Sequence, residues 1–219
     1  MVGLGKMGLS HYAIFNAHPL VDLSAICDSS KYVLGVLGKY TGARTFSDFD
    51  RLLEEVELDA VVIATPSSAH VEMVSACLER GLHVFCEKPL TLAPADTERL
   101  LTAANKTGAV TQVGYHNRFV AAFREAKSLI DAGAIGRVTH SLGEAYGPVV
   151  LKEPGRTWRS SPSAGGGSLF DYAAHVINLL NWYLGPATGV GGTVLPRVLA
   201  RAPSLPAIPS TTRERSASV

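Results

Sequence analysis

Residues 3–8 form the run Gly3-Leu4-Gly5-Lys6-Met7-Gly8, a GxGxxG pattern at the start of a segment with helical spacing of apolar residues. Glycines in this pattern permit a tight turn and let backbone N–H groups approach a pyrophosphate at a helix N-terminus. A β-branched run then ends at Asp28, about 20 residues beyond Gly8, where a carboxylate would accept the ribose hydroxyls of a dinucleotide. The residues predicted to bind it are Gly3, Gly5, Lys6, Met7, Gly8 and Asp28.

The dinucleotide that Asp28 favours is NAD, because a carboxylate repels the 2′-phosphate of NADP. Ser29, Ser30 and Lys31 follow directly and offer phosphate contacts, so NADP stays open as an alternative. A glycine turn followed by a functionally unrelated loop aspartate would show the same sequence pattern. The spacing between the two and the helix and strand predicted around them disfavour that interpretation.

The order of segments along the first half of the chain predicts an α/β fold. Short β-branched runs alternate with longer segments of helical periodicity, which is typical of βαβ units and a parallel sheet. The predicted strands are residues 21–27, 60–64, 84–86 and 110–113, and the predicted helices are residues 6–17, 30–40, 67–80 and 93–106. We expect a Rossmann-type doubly wound parallel sheet over residues 1–116, with helices on both faces.

The pattern changes after Gly114 and predicts an incomplete α+β substrate domain over residues 117–195. Its predicted elements are helices at 119–132 and 168–184, a strand at 138–144 and a strand-like stretch at 189–195. A Gly/Pro-rich loop precedes the second helix.

Both ends of the chain depart from this architecture. Only Met1 and Val2 precede the glycine turn, so we expect the first strand of the sheet to be largely missing. Residues 196–219 are rich in Pro, Ser, Ala and Arg and lack aromatic residues and any strand or helix period. This composition predicts a disordered or out-of-frame tail.

Composition excludes several classes of protein. The 219 residues are 47% hydrophobic with a net charge of +1, so no strong field favours nucleic acid or an anionic membrane surface. Cys27, Cys77 and Cys86 have no metal-ligand spacing and are expected to be reduced thiols. No leader pattern opens the chain, and no run approaches about 18 apolar residues. We therefore expect a cytoplasmic protein with no membrane or nucleic-acid partner.

Three further runs, together with the glycine turn, resemble the glucose–fructose oxidoreductase / inositol dehydrogenase / MocA (Gfo/Idh/MocA) family over about residues 1–195. The runs are Ala64-Thr65-Pro66-Ser67-Ser68-Ala69-His70, Val84-Phe85-Cys86-Glu87-Lys88-Pro89-Leu90 and Gly166-Gly167-Ser168-Leu169-Phe170-Asp171-Tyr172-Ala173-Ala174-His175.

The resemblance implies a nicotinamide-dependent oxidoreductase that acts on a sugar or polyol hydroxyl. By it, Thr65 and Pro66 flank the ribose and nicotinamide half of the dinucleotide. Lys88 reaches both cofactor and substrate, and Asp171 and His175 face the reacting carbon.

The residues themselves support these roles less strongly. Glu87 and Lys88 follow a predicted buried strand, at the sheet edge where doubly wound folds bind ligands. Without the resemblance, an equal interpretation is that they are the first solvated residues after that strand. With it, both are predicted to contact the cofactor.

Asp171 and His175 lie four residues apart on a predicted helix and so share a face, where a carboxylate can orient an imidazole. On spacing alone an ordinary surface or core histidine is the commoner case. The preceding glycines, 165–167, suit close approach of the backbone to a ligand. Together with the resemblance they favour a catalytic pair.

The remaining candidates lie in turns and loops. His70 is predicted to belong to the cofactor-binding residues. Its role beside Thr65 and Pro66 is expected to be mainly structural, in packing or in hydrogen bonding to polar groups. Asn117 and Arg118 are predicted to line the substrate cleft. Trp158 and Arg159 lie in a long loop where an aromatic face and a guanidinium suit a hydroxylated or phosphorylated sugar, and a loop anchored by a buried Trp is an equal alternative. The His, Asp and Glu residues form no metal-ligand pattern, so no metal is predicted.

The predicted chemistry is oxidation of a secondary alcohol: His175 takes the hydroxyl proton while hydride leaves the same carbon for the nicotinamide. Asp171 would hold the His175 tautomer, and Lys88 would stabilise developing alkoxide charge. Two alternatives are a protein that senses nucleotide or sugar without turnover and an inactive fragment of a former enzyme. A homo-oligomer is expected of a full-length family member and is doubtful for this chain.

Overall fold

The computed structural model describes residues 1–145 and 165–192. The chain divides into two compact units, Met1–Pro186 and Ala187–Val219. In the second unit, the described residues 187–192 are irregular and exposed.

In the first unit helices and strands alternate, as the sequence predicts. The elements are α1 (Lys6–Asn16), β1 (Ala25–Cys27), α2 (Lys31–Thr41), β2 (Arg44–Phe46), α3 (Phe49–Glu55), β3 (Ala60–Ile63), α4 (His70–Glu79), β4 (His83–Cys86), α5 (Pro94–Thr107), β5 (Thr111–Val113), α6 (Ala121–Asp131) and α7 (Ala174–Leu184). Short 3-10 turns cover Ser67–Ala69 and His116–Phe119, and a π-helical turn, Leu169–Ala173, leads into α7.

The strands form a parallel sheet in two halves joined by one residue. β1 pairs with β2, and β4 lies between β3 and β5. Val2 bridges the halves through parallel pairing with Cys27 and Ile63, so the order is β2-β1-Val2-β3-β4-β5. The Val2 N–H donates to the Val62 carbonyl, and the Ala64 N–H donates to the Val2 carbonyl, both at 2.8 Å.

Side chains on alternate strand positions pack against helices on opposite faces of the sheet. In β1, Ile26 packs with α1 and α2, whereas Ala25 and Cys27 pack with α3, α4 and α5. Period-2 alternation with apolar residues on both sides requires a helical layer on each face. The Rossmann-type doubly wound sheet predicted from the sequence is confirmed.

One strand and one helix of the structure are not predicted from the sequence. β2 is three residues long with only Phe46 buried, which is too short for a β-branched run to mark it. α3 follows with Asp48 as its N-cap, whose carboxylate accepts from the Arg51 N–H at 2.9 Å.

The strand predicted at residues 138–144 is wrong, because this segment is irregular and exposed. A strand needs a partner ladder, and in the described residues this segment has none. Instead, the chain at Gly143 lies so close to Val176 of α7 that a Cβ there would overlap the Val176 side chain. The stretch predicted at 189–195 is also irregular over residues 189–192, and the rest of it lies outside the described residues.

The longest described helix, α5, has 14 residues, and none of the described helices is both long and apolar enough to cross a membrane.

Candidate active site

The glycine turn joins Val2 to α1 and packs tightly against the end of β3. Gly3 has φ +82, and a Cβ there would lie 2.7 Å from the Ala64 carbonyl carbon. A Cβ at Gly8 would overlap the Gly3 carbonyl oxygen, so both positions exclude any larger residue. Gly5 faces open space, with nothing within 4 Å of a Cβ position. Lys6, which is exposed, and Met7, which is half-buried, form the first turn of α1, where helix N–H groups lack partners within the helix and can bind a ligand.

Asp28 lies at the end of β1 and contacts the glycine turn directly. The Leu4 N–H donates to Asp28 Oδ2 at 2.6 Å, and the Ser30 N–H donates to Oδ1 at 2.8 Å. The Ser30 hydroxyl caps α2 by accepting a hydrogen bond from the Val33 N–H. Ser30 is one of the three residues whose side chains are expected to offer phosphate contacts, and its hydroxyl already has this partner. The carboxylate thus stands beside the turn, as the spacing predicts.

The loop after β3 carries Thr65 and Pro66, and His70 fixes it from behind. The His70 ring is 1% exposed and lies between two backbone carbonyls, with Nδ1 2.8 Å from the Pro89 oxygen and Nε2 3.0 Å from the Thr65 oxygen. The ring therefore joins the loop after β3 to the loop after β4. Pro66 is exposed at the same edge of the sheet.

Replacing His70 with Leu removes the two ring nitrogens that lie against the carbonyls of Thr65 and Pro89, and with them the ring N–H that donates to one of these oxygens. We expect the free energy of unfolding to fall by about 2–4 kcal/mol, because buried carbonyls would lose their partners. Urea denaturation measures the change. His140→Leu, at an exposed position, is the control and should change stability by less than about 0.5 kcal/mol. Equal midpoints for the two variants would contradict this role.

Glu87, at the end of β4, is only 7% exposed, and both of its carboxylate oxygens have protein partners. His11 Nε2 lies 2.6 Å from Oε1, and the Lys88 N–H donates to Oε2 at 3.2 Å. Burial would raise the pKa of Glu87, but the His11 hydrogen bond, the positive potential at His11 and the Lys88 contacts hold it below its usual range. Both of these contacts are made to groups of the protein itself. The cofactor contact predicted for Glu87 stays a prediction.

Lys88 reaches across the cleft to the π-helical turn before α7. Its ammonium donates to the Asp171 carbonyl oxygen at 2.6 Å and to Asp171 Oδ1 at 3.2 Å. The side chains of Lys88 and Asp171 are 11% and 13% exposed. π-helical turns are frequent at functional sites, and here the turn presents both a carbonyl and a carboxylate to one cation.

His175 lies one helical turn after Asp171, with its ring against aromatic neighbours. The ring makes edge contacts with His116, at 5.0 Å between centroids, and with Tyr115, at 6.1 Å. Its Nδ1 is buried and has no hydrogen-bond partner in the described part of the chain. Burial, reinforced by the charges of Lys88 and His116, lowers the pKa of His175 to about 4. The ring is therefore neutral near pH 7 and able to accept a proton.

Asp171 is predicted to hold the tautomer of His175, whereas in the structure its carboxylate contacts the Lys88 ammonium. Asp171 holds Lys88, whereas the Nδ1 atom of His175 has no such carboxylate partner among the described residues. Gly165, expected to let the backbone approach a ligand, instead lies against Ser67 and Leu92: a Cβ at Gly165 would be 2.9 Å from the Ser67 Cβ. Gly165 thus lets the segment before the π-helical turn lie close to the loop after β3.

The other predicted substrate residues are less well placed. The Arg118 Nε donates to Asn178 Oδ1 at 2.7 Å, and its guanidinium lies over the Trp182 ring at 5.8 Å, so it packs the turn at His116–Phe119 onto α7. Asn117 is half-buried in the same turn. Trp158, Arg159 and the predicted tail at 196–219 lie outside the described residues.

Two polar neighbours of the site had no role in the sequence analysis. His11 pairs with Glu87 across 76 residues of sequence, and His116 contacts His175. For His11 the only signal was its position on the helix that begins in the glycine turn. Among the described residues, no group of three or more His, Cys, Asp or Glu side chains could hold a metal ion.

Comparison with known proteins agrees with this fold. The oxidoreductase family with an NAD-binding Rossmann fold matches residues 1–115, and the GFO/IDH/MocA C-terminal domain matches residues 123–202. The fold and these matches therefore define a chain of an oxidoreductase family with an NAD-binding Rossmann domain. The chain belongs to the Gfo/Idh/MocA family.

Individual relatives are similar over most of this chain. The scyllo-inositol 2-dehydrogenase (NAD(+)) of Bacillus subtilis is 30% identical over 88% of this chain and 55% of its own length. The dTDP-3,4-didehydro-2,6-dideoxy-alpha-D-glucose 3-reductase of Streptomyces violaceoruber is 32% identical over 83% of this chain and 52% of its own length.

Among solved structures, the scyllo-inositol dehydrogenase of Lactobacillus casei with bound NAD(H) and scyllo-inositol superposes with a TM-score of 0.70. It is 28% identical and covers 84% of this chain and 54% of its own. The chain spans about half the length of the curated relatives it matches.

Proposed function

We propose that this chain carries the cofactor-binding and proton-transfer residues of an NAD-dependent dehydrogenase that oxidises a secondary hydroxyl of a sugar or polyol. The observation that carries the proposal is the contact of Lys88 with Asp171, beside the neutral imidazole of His175. A cation and a base thus meet at the carboxyl edge of a parallel sheet, where such folds bind ligands. We also propose that residues 1–116 bind the dinucleotide and residues 117–195 contribute to the substrate side.

The residues present fit a bound dinucleotide. The free space at Gly5, next to the open N–H groups at the start of α1, suits a pyrophosphate. Asp28 retains acceptor capacity beside its two backbone donors and would hold the ribose hydroxyls. When bound, NAD supplies the carbon that accepts a hydride.

The proton-transfer steps fall to this chain's own side chains. His175 accepts the hydroxyl proton of the substrate, since its lowered pKa keeps it neutral. Lys88 hydrogen-bonds the same oxygen and stabilises the alkoxide charge that develops as the hydride leaves. Asp171 fixes the Lys88 ammonium at the cleft and compensates its charge while the site is empty of substrate.

The substrate class is supported by the two kinds of relative. One is named as a dehydrogenase of an inositol and the other as a 3-reductase of a nucleotide-linked didehydro sugar, so each name gives oxidation or reduction of a polyol or a sugar. We propose a polyol or sugar ring as the substrate, with its secondary hydroxyl between Lys88 and His175.

The test is NAD⁺ reduction by the purified protein with a panel of inositols, aldoses and a nucleotide-linked sugar, followed by NADH absorbance. Turnover with a polyol or sugar that disappears in Lys88→Ala supports the proposal. NADH binding without turnover of any member would favour the alternative of a dinucleotide-binding protein or an inactive fragment.

Asp28→Ala is expected to narrow the preference for NAD over NADP by about tenfold, because the carboxylate that repels a 2′-phosphate is removed. Fluorescence titration with NADH and NADPH measures both affinities. Asp22→Ala, at an exposed position before β1, is the matched control and should leave the ratio unchanged. A clear NADPH preference in the unmodified protein would refute the assignment of Asp28.

A further inference from the structure

A buried ion-pair geometry connects the helix of the glycine turn with the end of β4. His11, in α1, points its Nε2 at Glu87 Oε1 at 2.6 Å, and the two side chains are 15% and 9% exposed. The imidazole packs edge-on against Phe85 of β4, with ring centroids 5.0 Å apart. Because a carboxylate only accepts, the His11 Nε2 carries the proton of this hydrogen bond.

The surroundings of Glu87 are shaped for its carboxylate. A Cβ at Gly114 would lie 3.0 Å from the carboxyl carbon of Glu87, so a glycine there leaves the room that the group occupies. The other oxygen, Oε2, accepts from the N–H of Lys88. The carboxylate therefore touches α1 on one side and the backbone of Lys88 on the other.

A continuous line of polar contacts results. It runs from His11 to Glu87, from Glu87 to the Lys88 backbone, and from the Lys88 ammonium to Asp171. Coupled polar contacts of this kind, in a site of low dielectric, hold their members in one arrangement more firmly than isolated pairs do. Nothing in the proton-transfer steps uses His11.

We propose that His11 is a positioning residue that, through Glu87, fixes Lys88 in the cleft. This inference rests on the proposed function, in which Lys88 binds the reacting oxygen. Loss of the His11 donor leaves the buried Glu87 carboxylate short of a partner. Such a carboxylate turns to solvent and releases the Lys88 N–H, or takes up a proton and accepts from that N–H more weakly.

The test measures the accessibility of the Lys88 amine and does not depend on turnover. The whole chain and its variants are treated with trinitrobenzenesulfonate, and labelling of each lysine is followed by peptide mass spectrometry. His11→Phe keeps the aromatic contact with Phe85 but cannot donate to Glu87. We expect Lys88 to be labelled about threefold faster or more in this variant, because local opening exposes its ammonium.

His11→Gln is the matched variant, since its amide donates from about the position of Nε2, and Lys88 labelling should stay at the unmodified rate. Lys39, exposed on α2, is the internal standard and should not change. If His11→Phe does not melt cooperatively, His11→Asn takes its place, because its amide is one bond too short to reach Glu87. It should behave as the Phe variant is expected to.

Three outcomes overturn the proposal: no change at Lys88 in folded Phe and Asn variants, an equal rise at Lys39, or a Gln variant that labels like Phe. In turnover assays on an active substrate, His11→Phe should lower kcat about tenfold and leave KM for NAD within about threefold, and His11→Gln should restore kcat. If no substrate turns over in the unmodified protein, the proposed function fails, while the labelling result still decides the role of His11.

Discussion

His175→Ala and Lys88→Ala should each lower kcat by about 10² or more on a substrate that the unmodified protein oxidises. Removing His175 takes away the base proposed to accept the hydroxyl proton, and general bases typically contribute this much. Removing Lys88 takes away the cation that stabilises the alkoxide in a cleft where its side chain is only 11% exposed. NADH titration should show affinities within about threefold of the unmodified protein, because the glycine turn and Asp28, which are proposed to hold the dinucleotide, are unchanged in both variants.

The pH dependence of kcat/KM tests the role of His175 as the base separately from the role of Lys88 as the stabilising cation. Because the pKa of His175 is lowered to about 4, the base is protonated only in acid, and activity should fall as the pH drops toward 4. An unperturbed histidine would place that fall near pH 6.5. The acid limb should be absent from the residual activity of His175→Ala. A normal rate in His175→Ala would require another base.

Asp171→Asn is the milder companion variant. It removes the carboxylate charge, but the backbone carbonyl of residue 171, which accepts from the Lys88 ammonium at 2.6 Å, remains. We therefore expect a smaller loss of kcat than in Lys88→Ala. A loss as large as that of Lys88→Ala would show that the charge of Asp171, not the position of Lys88, is the dominant requirement.

What could be predicted from the sequence was local. The glycine turn and Asp28 are marked by residue types that a strand-turn-helix unit demands at fixed spacing, and the structure brings Leu4 and Asp28 within hydrogen-bond distance. The main helices that cover the sheet are long enough for the helical spacing of their apolar residues to be recognised in the sequence. The short strand β2 and the helix α3 lack that length, so their apolar period is not visible in the sequence.

What could not be predicted depends on distant partners. Lys88 and Asp171 are 83 residues apart, and their contact follows from how the π-helical turn is placed over the sheet. The strand expected at 138–144 has suitable alternation but no ladder in the described residues, so period alone was a misleading signal. Burial and the neighbouring charges of Lys88 and His116 lower the pKa of His175, and these neighbours are brought together by the fold and not by sequence spacing.

Replacing two glycines of the turn with alanine should have different effects: Gly8→Ala should lower stability, whereas Gly5→Ala should lower only the affinity for NADH. In Gly8→Ala the new Cβ overlaps the Gly3 carbonyl oxygen, so the backbone at the start of α1 must move. We expect the free energy of unfolding to fall by about 3 kcal/mol, with NADH binding lost as the turn opens. In Gly5→Ala the Cβ meets no atom within 4 Å, so the free protein should keep its stability. The same methyl group stands where a pyrophosphate would approach, and NADH affinity should fall about tenfold or more.

Gly35→Ala is the matched control, because a Cβ at Gly35 of α2 also meets nothing within 4 Å, away from the cofactor turn. It should leave NADH affinity unchanged and raise stability by about 0.5–1 kcal/mol, since alanine favours a helix interior over glycine. Thermal melting and NADH fluorescence titration measure the two properties on the same samples. A Gly5→Ala variant that binds NADH normally would show that the pyrophosphate does not lie over this turn. A Gly8→Ala variant as stable as Gly35→Ala would show that the turn can relax around the overlap, and that its close packing is not what fixes the cofactor site.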